Sequence, residues 1–406
     1  MGFIKLSRRK DAARTGSQQL IKEINQVLIF RAIRERGPIS RSQLAKELRL
    51  SPTTVTVIID YFMENGFLIE TGKGDSSGGR KPILVKLAPN AGVVIAVDLE
   101  QNRVAVLNME ADILQEKKLV IFDNKELLTS LIAVINELIA EYRDRHKMRP
   151  LGIGIAVPGI IDLQKGTVFT ASKLNFNHLS LKEELQEHFQ VPVLLENDAN
   201  AAAYGEFLYG RAQQVPNFLY LHIGRAVGAG FFLSGNLFTG GAGGAGEFGH
   251  ISVDESGPLC HCGNIGCLEK LISEHSLLEK WREWAGAEEA TGIPALAEMV
   301  ELSNNGGGTA GRLMDYAGEM LGKGVVTLVH LFNPTLILLG GELALNNLRL
   351  LDQVKKQVDR RSMPVFLKHV KIEESLTKLN AGIIGAGSLA LHHFFENLHI
   401  DAVTNR

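Results

Sequence analysis

The stretch GEFGHISVDESGPLCHCGNIGCLE, residues 246–269, decides how the rest of the chain is read. All 3 cysteines fall inside it, as Cys260, Cys262 and Cys267, with His250 a short way ahead of them. Three thiolates and one imidazole complete a tetrahedral zinc shell and leave no position open for water, which marks a structural ion rather than a catalytic one. Gly263 and Gly266 stand between the second and third sulfurs, where a loop closing around one ion needs dihedrals that other residues resist. Three small buried thiols would be the plain alternative, and their clustering beside a histidine argues against it. With His250, Cys260, Cys262 and Cys267 assigned to Zn2+, the flanking Glu247 and Glu269 are left for other work.

The chain around this loop has 406 residues, too many for one typical domain, so two or three are expected. No run of about 18 apolar residues is present, and no membrane span is expected. The N-terminus is polar and basic and carries no apolar signal segment. Once the cysteines are given to a metal no disulfide framework remains, and a reducing cytoplasm is the natural compartment. The net charge of −2 hides an asymmetry: residues 1–90 hold 16 Lys and Arg against 8 Asp and Glu, and the remainder holds 27 against 37. Such a basic head on an acidic body points to a polyanion partner, although charge alone would equally fit a solvated basic tail.

The head carries more than charge. Residues 1–19 show no sustained period and read as a basic arm. Leu20, Ile24, Val27, Leu28 and Ile33 recur at helical spacing, and Gly37-Pro38 ends that helix. Ser40 with Gln43 three residues on forms a capping box for a second helix, which buries Leu44 and Leu48. Ser51-Pro52 starts a third, with Val55, Ile58, Ile59 and Phe62 inward and Thr53, Thr54, Thr56 and Asp60 outward. Two strands, residues 67–70 and 83–87, flank the loop TGKGDSSGGRKP at 71–82, which reads as a wing. The pattern is a winged helix-turn-helix over residues 1–90. Arg41, Thr53, Thr54 and Thr56 are its candidate contacts to base edges and phosphates. Lys73, Arg80 and Lys81 are candidate wing contacts to the DNA backbone or minor groove. Outward threonines alone would be an ordinary polar helix face; the wing and the charge turn the reading to DNA binding.

From residue 93 onward the pattern changes to apolar, β-branched runs (VVIAVDL, RVAVLNM, LGIGIAVP) separated by helical stretches at 124–147, 273–285, 310–332 and 385–398. Strands alternating with helices predict an α/β body. Four motifs then carry a resemblance to a known family. VPGIID at 157–162, ENDANAAAYGE at 196–206, GEFGH at 246–250 and CHCGNIGCLE at 260–269 resemble signatures of the ROK family, which joins bacterial transcriptional repressors to sugar kinases. The resemblance spans nearly the whole chain. The head with its SGGRKP wing is similar to the repressor branch, of the xylose-repressor type.

The resemblance implies an actin-like (ribonuclease H-like) two-lobed sugar-kinase fold behind the winged head. A first lobe would span 91–205 and be completed by the C-terminal helix at 385–400. A second, at 206–384, would hold the zinc site and a dimerisation surface. It also implies a sugar site built from Asn197, Asp198, Glu247, His250 and Glu269, with Gly159 opposite. Carboxylates can accept from two adjacent hydroxyls at once, while Asn and His donate or accept. One ring nitrogen of His250 would face zinc and the other the sugar. What is missing is as informative. The kinases resemble DxGGT at the first phosphate loop, GTGxGAG at the second and GGG at the nucleotide; here stand Asp98-Leu99-Glu100-Gln101-Asn102, Gly224-Arg225-Ala226-Val227-Gly228-Ala229-Gly230 and Gly340-Gly341-Glu342. Side chains and the Glu100 charge would keep a phosphate away. Asp198, the general base of a kinase, would then only bind.

The expectation is therefore a sugar-responsive repressor that binds operator DNA as a homodimer or dimer of dimers, takes a monosaccharide effector in a kinase-derived cleft, and performs no phosphotransfer. A bifunctional ATP-dependent sugar kinase with a DNA-binding head is the rival, and a repressor released by a partner protein the third reading.

Overall fold

The structure is a computed structural model that describes residues 18–74, 81–120, 126–162, 165–171, 176–241, 243–285 and 292–397. It divides into two compact units: the chain up to Ala91 together with the residues from His392 onward, and Gly92–Leu391.

In the first unit, α1 (Gln18–Arg36), β1 (Ile39–Ser40), α2 (Arg41–Leu48), α3 (Pro52–Glu64), β2 (Leu68–Lys73) and β3 (Ile83–Leu87) follow one another, with the strands ordered β1-β3-β2. The predicted caps are present. Ser40 Oγ accepts from Gln43 N at 3.2 Å while Gln43 Oε1 accepts from Ser40 N at 3.1 Å, and Ser51 Oγ accepts from Thr54 N at 3.0 Å with Pro52 in the first turn. Each reciprocal bond satisfies an N–H that a helix start would otherwise leave without a partner. Helix α3 buries Val55, Ile58, Ile59 and Phe62 as expected. Helix α1 is turned in part from the expected face: Ile33 is buried as expected, but Ile29 and Phe30 are buried with it, whereas Ile24 and Leu28 are exposed. The reason is aromatic packing. Phe30 meets Phe62 edge-on with ring centroids 4.9 Å apart, and Phe395 from the end of the chain sits 5.2 Å from Phe30. The short β1, whose two residues give no readable period, was not expected.

The second unit has two lobes. The first is built on a sheet ordered β11-β7-β4-β5-β6. Its elements are β4 (Gly92–Asp98), β5 (Arg103–Leu107), β6 (Ile113–Lys118), α4 (Leu127–Asp144), β7 (Arg149–Val157), the small sheet β8 (Ile160–Asp162), β9 (Thr167–Ala171) and β10 (Phe176–Leu179), then α5 (Leu181–Phe189), β11 (Val193–Asn197) and α6 (Asp198–Tyr209). β4, β7 and β11 run parallel, β5 pairs antiparallel with β4, and β6 pairs antiparallel with β5 at the edge. Leu127, Leu131, Ile135 and Leu138 of α4 pack on Val93, Ile95 and Val97 of β4 in one core. Each such side chain contributes about 1.5–3 kcal/mol before ordering entropy is counted.

The second lobe repeats the scheme with β14-β13-β12-β15-β16. It contains β12 (Phe218–Ile223), β13 (Val227–Leu233), β14 (Asn236–Leu237), α7 (Leu268–Ile272), α8 (Glu274–Trp284), α9 (Leu296–Asn304), α10 (Gly308–Phe332), β15 (Leu336–Gly340), α11 (Leu348–Arg361), α12 (Pro364–Leu367) and β16 (Lys371–Glu374). Two sheets of this order, each with flanking helices, form the actin-like arrangement. The closing helix α13 runs Ala381–Glu396, starting four residues earlier than the sequence suggested. Gly382 and Gly385 in its first turns are places of close approach: a Cβ at Gly385 would lie 1.7 Å from Ala201 O, and one at Gly382 2.6 Å from Asp98 Oδ2. The boundary between units falls inside α13, so the end of this helix belongs with the head and not wholly with the first lobe. Phe394 lies 5.7 Å from Phe67, and the Arg34 guanidinium sits 5.0 Å above the Phe395 ring.

Candidate functional site

The loop that opened the reading folds on itself. Cys260 N donates to Asn264 O at 2.8 Å and Gly263 N to Cys260 O at 3.0 Å. Gly263 and Gly266 take φ of +91° and +67°, and a Cβ at Gly266 would stand 1.7 Å from Asp254 O. Only glycine meets both demands. These turns bring Cys262 Sγ to 3.6 Å from Cys267 Sγ, and Cys260 Sγ to 3.7 Å from His250 Nδ1. The four ligand atoms lie within 4.8 Å of one another. A tetrahedral ion with Zn–S bonds of about 2.3 Å sets ligand–ligand edges of about 3.8 Å, so the donor set fits such a metal in both chemistry and spacing. Burial, with the neighbouring sulfurs, pushes the Cys267 thiol up to about 12.

His250 turns its other ring nitrogen away from the sulfurs: Nε2 is 3.8 Å from Glu247 Oε2. That side opens on a cavity of about 380 Å3 lined by Gly159, Asn197, Asp198, Glu247, His250 and Glu269, every residue of the expected sugar set. The fold explains the convergence. Asn197 and Val157 are register partners at the ends of the parallel β11 and β7. Asn197 then caps α6, accepting from Ala199 N and Asn200 N, while its Nδ2 donates to Gly159 O at 3.1 Å. Asp198 is the first residue of α6. Gly246, at φ +95°, passes so near Ala229 O that a Cβ would lie 1.9 Å away. Glu269 lies in the first turn of α7, just after Cys267, and accepts from Val227 N at 3.0 Å. Burial raises Glu247 above the usual carboxylate range against the pull of His250. Among the described residues lining the cavity there is no Lys or Arg.

Two histidines that line it had not been singled out, His261 and His222. His261 Nδ1 is 4.0 Å from Glu269 Oε1, and its ring stands edge-on to His250 at 5.0 Å. Its position between two cysteine ligands was the available signal. His222, a lone histidine in the apolar strand FLYLHI, gave none.

The loop after β4, where the sequence departs from the expected kinase pattern, is closed on itself. Asp98 Oδ1 accepts from the N–H groups of Glu100 and Gln101, both at 3.1 Å. Glu100 is buried, with Oε1 3.5 Å from His222 Nε2. Burial pushes Asp98 up to about 7, helped by the Glu100 charge. Burial works against a charged His222, but Glu100, with Asp198 and Asp98 behind it, outweighs it and lifts the ring to about 9. The space left here is about 20 Å3, room for about one water. Arg225 of the second loop reaches the Glu100 carbonyl at 3.4 Å and lies 3.6 Å from Glu274. Glu342 is raised first by its own burial and then by Glu100.

In the head, Thr53 and Thr56 are exposed on α3, and Lys73 and Lys81 are exposed at the ends of the wing. Arg80 lies outside the described residues. Thr54 is half-buried and its hydroxyl is 2.8 Å from that of Ser51, inside the cap. Arg41 is 2.7 Å from Asp60 and reaches Thr56 O at 3.4 Å, so it braces α2 against α3.

Comparison with known proteins places this geometry. A profile described as the ROK family matches residues 94–393, and one described as the MarR family matches residues 22–71. The chain is 30% identical over 392 residues to the xylose repressor of Caldicellulosiruptor bescii, covering 93% of this chain and 97% of that protein. It is 27% identical over 403 residues to the DNA-binding transcriptional dual regulator NagC of Escherichia coli K12, covering 95% and 98%. Among solved structures, a ROK family transcriptional regulator described as a homologue of the E. coli MLC protein superposes with a TM-score of 0.82 at 26% identity, over 95% of this chain and 100% of that one. A ROK family glucokinase from Streptomyces griseus, in complex with glucose and AMPPNP, covers 74% of this chain and 100% of that one at a TM-score of 0.65 and 26% identity.

Proposed function

The chain belongs to the ROK family, and from that premise we propose that it is a sugar-responsive transcriptional repressor whose effector is an uncharged monosaccharide. The observation that carries this reading is the pairing of an open hydroxyl-binding cavity with a closed phosphate end. Six residues suited to hydroxyls line one cavity, while the loop at Asp98 has spent its N–H groups on its own carboxylate. Three carboxylates face the cavity from Asp198, Glu247 and Glu269 without a lining Lys or Arg, which favours a neutral sugar over a sugar phosphate or a uronic acid. Each carboxylate that binds a hydroxyl would make loss of that hydroxyl costly, because a buried acceptor is then left unpaired.

In this reading His250, Cys260, Cys262 and Cys267 hold a structural zinc that fixes the His250 ring toward the sugar. The winged head, residues 1–90, reads operator half-sites through Thr53 and Thr56, with Arg41 and Thr54 supporting the helix and Lys73, Arg80 and Lys81 meeting backbone. Residues 91–205 and 206–384 form the two lobes, the second supplying the surface for a homodimer or a dimer of dimers. Sugar binding releases DNA if it favours the free state by about 1–3 kcal/mol, the usual size of such coupling.

The test is a thermal-shift panel of neutral pentoses and hexoses beside their phosphates, followed by a gel shift with the sugars that bind. A neutral sugar should raise the midpoint and weaken operator binding, and its phosphate should do neither. ADP release from ATP that depends on the same sugar would favour the bifunctional kinase instead.

A further inference from the structure

Helix α3 has one apolar side chain that the fold does not use. Val55, Ile58, Ile59 and Phe62 face the head's core, yet Val57 is 59% exposed. A β-branched residue in water at a helix surface adds nothing to burial and has lost rotamer freedom against the preceding turn. Position 57 lies one helical turn beyond Thr53 and adjoins Thr56, both exposed. The next polar residue on that side, Asp60, is drawn aside by Arg41 at 2.7 Å. What α3 presents outward near its start is therefore a methyl-bearing patch of two threonines around a valine.

We propose that Val57 is a specificity residue that packs on the 5-methyl group of a thymine in the operator, so that each half-site carries an A·T pair at that position. This rests on the reading of the head as an operator binder. The thymine methyl is the apolar feature of the major groove, and apolar side chains on a recognition helix meet it there. The net positive charge of residues 1–90 favours a polyanion such as DNA as the head's partner. The threonines beside Val57 can bond to base edges or phosphates without displacing it.

The experiment uses the full chain. Duplexes enriched by the protein from a random pool supply the binding sequence, and each thymine is then replaced singly by deoxyuridine, which deletes only the methyl group. Wild type should lose about fourfold in affinity at one thymine per half-site, the worth of one buried methyl. Val57→Ala should bind the thymine duplex about fourfold more weakly and be indifferent to deoxyuridine at that same position. Alanine is the better helix former, so the variant keeps its fold, and an unchanged melting curve checks this. Deoxyuridine sensitivity that persists in Val57→Ala, or is absent from wild type, overturns the proposal. So does a Val57→Ala defect confined to self-association in light scattering, since the patch would then be a protein contact. Failure to enrich any sequence would instead overturn the operator reading itself.

Discussion

His222 Nε2 lies 3.5 Å from Glu100 Oε1, and both residues line the small space beside Asp98. The pair's charge state makes the body sensitive to alkali. Histidine in the unfolded chain titrates near 6.5, and His222 keeps its proton up to about 9. The pair's contribution is thus fully present below pH 6.5 and is lost as the pH rises through 9. Asp98, lifted from 3.8 to about 7, adds a loss of the same sign between those values. The melting midpoint should fall between about pH 7 and about pH 9.5, and Glu100→Gln should flatten that slope. A midpoint that holds steady in wild type, or a slope untouched by Glu100→Gln, would remove the pair from the account.

The hydroxyl-binding set can be dissected by charge. Asp198→Asn and Glu247→Gln each replace a charged acceptor with a neutral one of the same shape. Bonds to charged groups are worth about 1.5–3 kcal/mol, so each change should weaken sugar binding at least about tenfold in calorimetry. Operator affinity without sugar should stay as in wild type. A variant that binds sugar normally would place its residue outside the contact shell.

Exposure makes the metal testable. Cys262 is exposed, and an exposed residue with no special role changes stability by only about 0.5 kcal/mol when replaced. If it is a zinc ligand, Cys262→Ser should release the ion, lower the melting midpoint by several degrees and blunt the sugar response through His250. Elemental analysis of wild type and variant decides this: a full equivalent of zinc in both would exclude Cys262.

The fourth test concerns the end of the chain. Phe395 is 5% exposed and stacks near Phe30 under the Arg34 guanidinium. Removing a buried phenyl ring costs about 3–5 kcal/mol. Calorimetry of Phe395→Ala should show an earlier transition for the head and an unmoved one for the body, with sugar binding retained and operator binding weakened. A single, unshifted transition would mean that the head does not depend on this ring.

Much of this architecture was legible because its signals are local. The cysteine loop holds three of its four ligand candidates within eight residues, and the caps at Ser40 and Ser51 announce helices by hydrogen bonds that reach three residues. What escaped depends on partners remote in sequence. The closing helix was read from Gly385, and nothing local shows that Gly382 and Gly385 let α13 lie against Asp98 and Ala201. The exposed Ile24 and Leu28 gave the apolar period of α1, while Phe62 and Phe395 chose its buried side. β6, with the sequence ILQEKK and alternating half-buried positions, was hidden by its polarity as an edge strand. Glu100 was legible as an obstacle to phosphate; that His222 neutralises it was not, because the two lie far apart along the chain.

The sharing of α13 between the two units bears on how the protein is made. Domains usually fold in the order in which they leave the ribosome, N-terminal first. Here the head's other elements precede Gly92, yet Phe394 and Phe395, which fill its interior, follow the whole of the Gly92–Leu391 unit. A nascent or truncated chain thus carries a head with a hole in it.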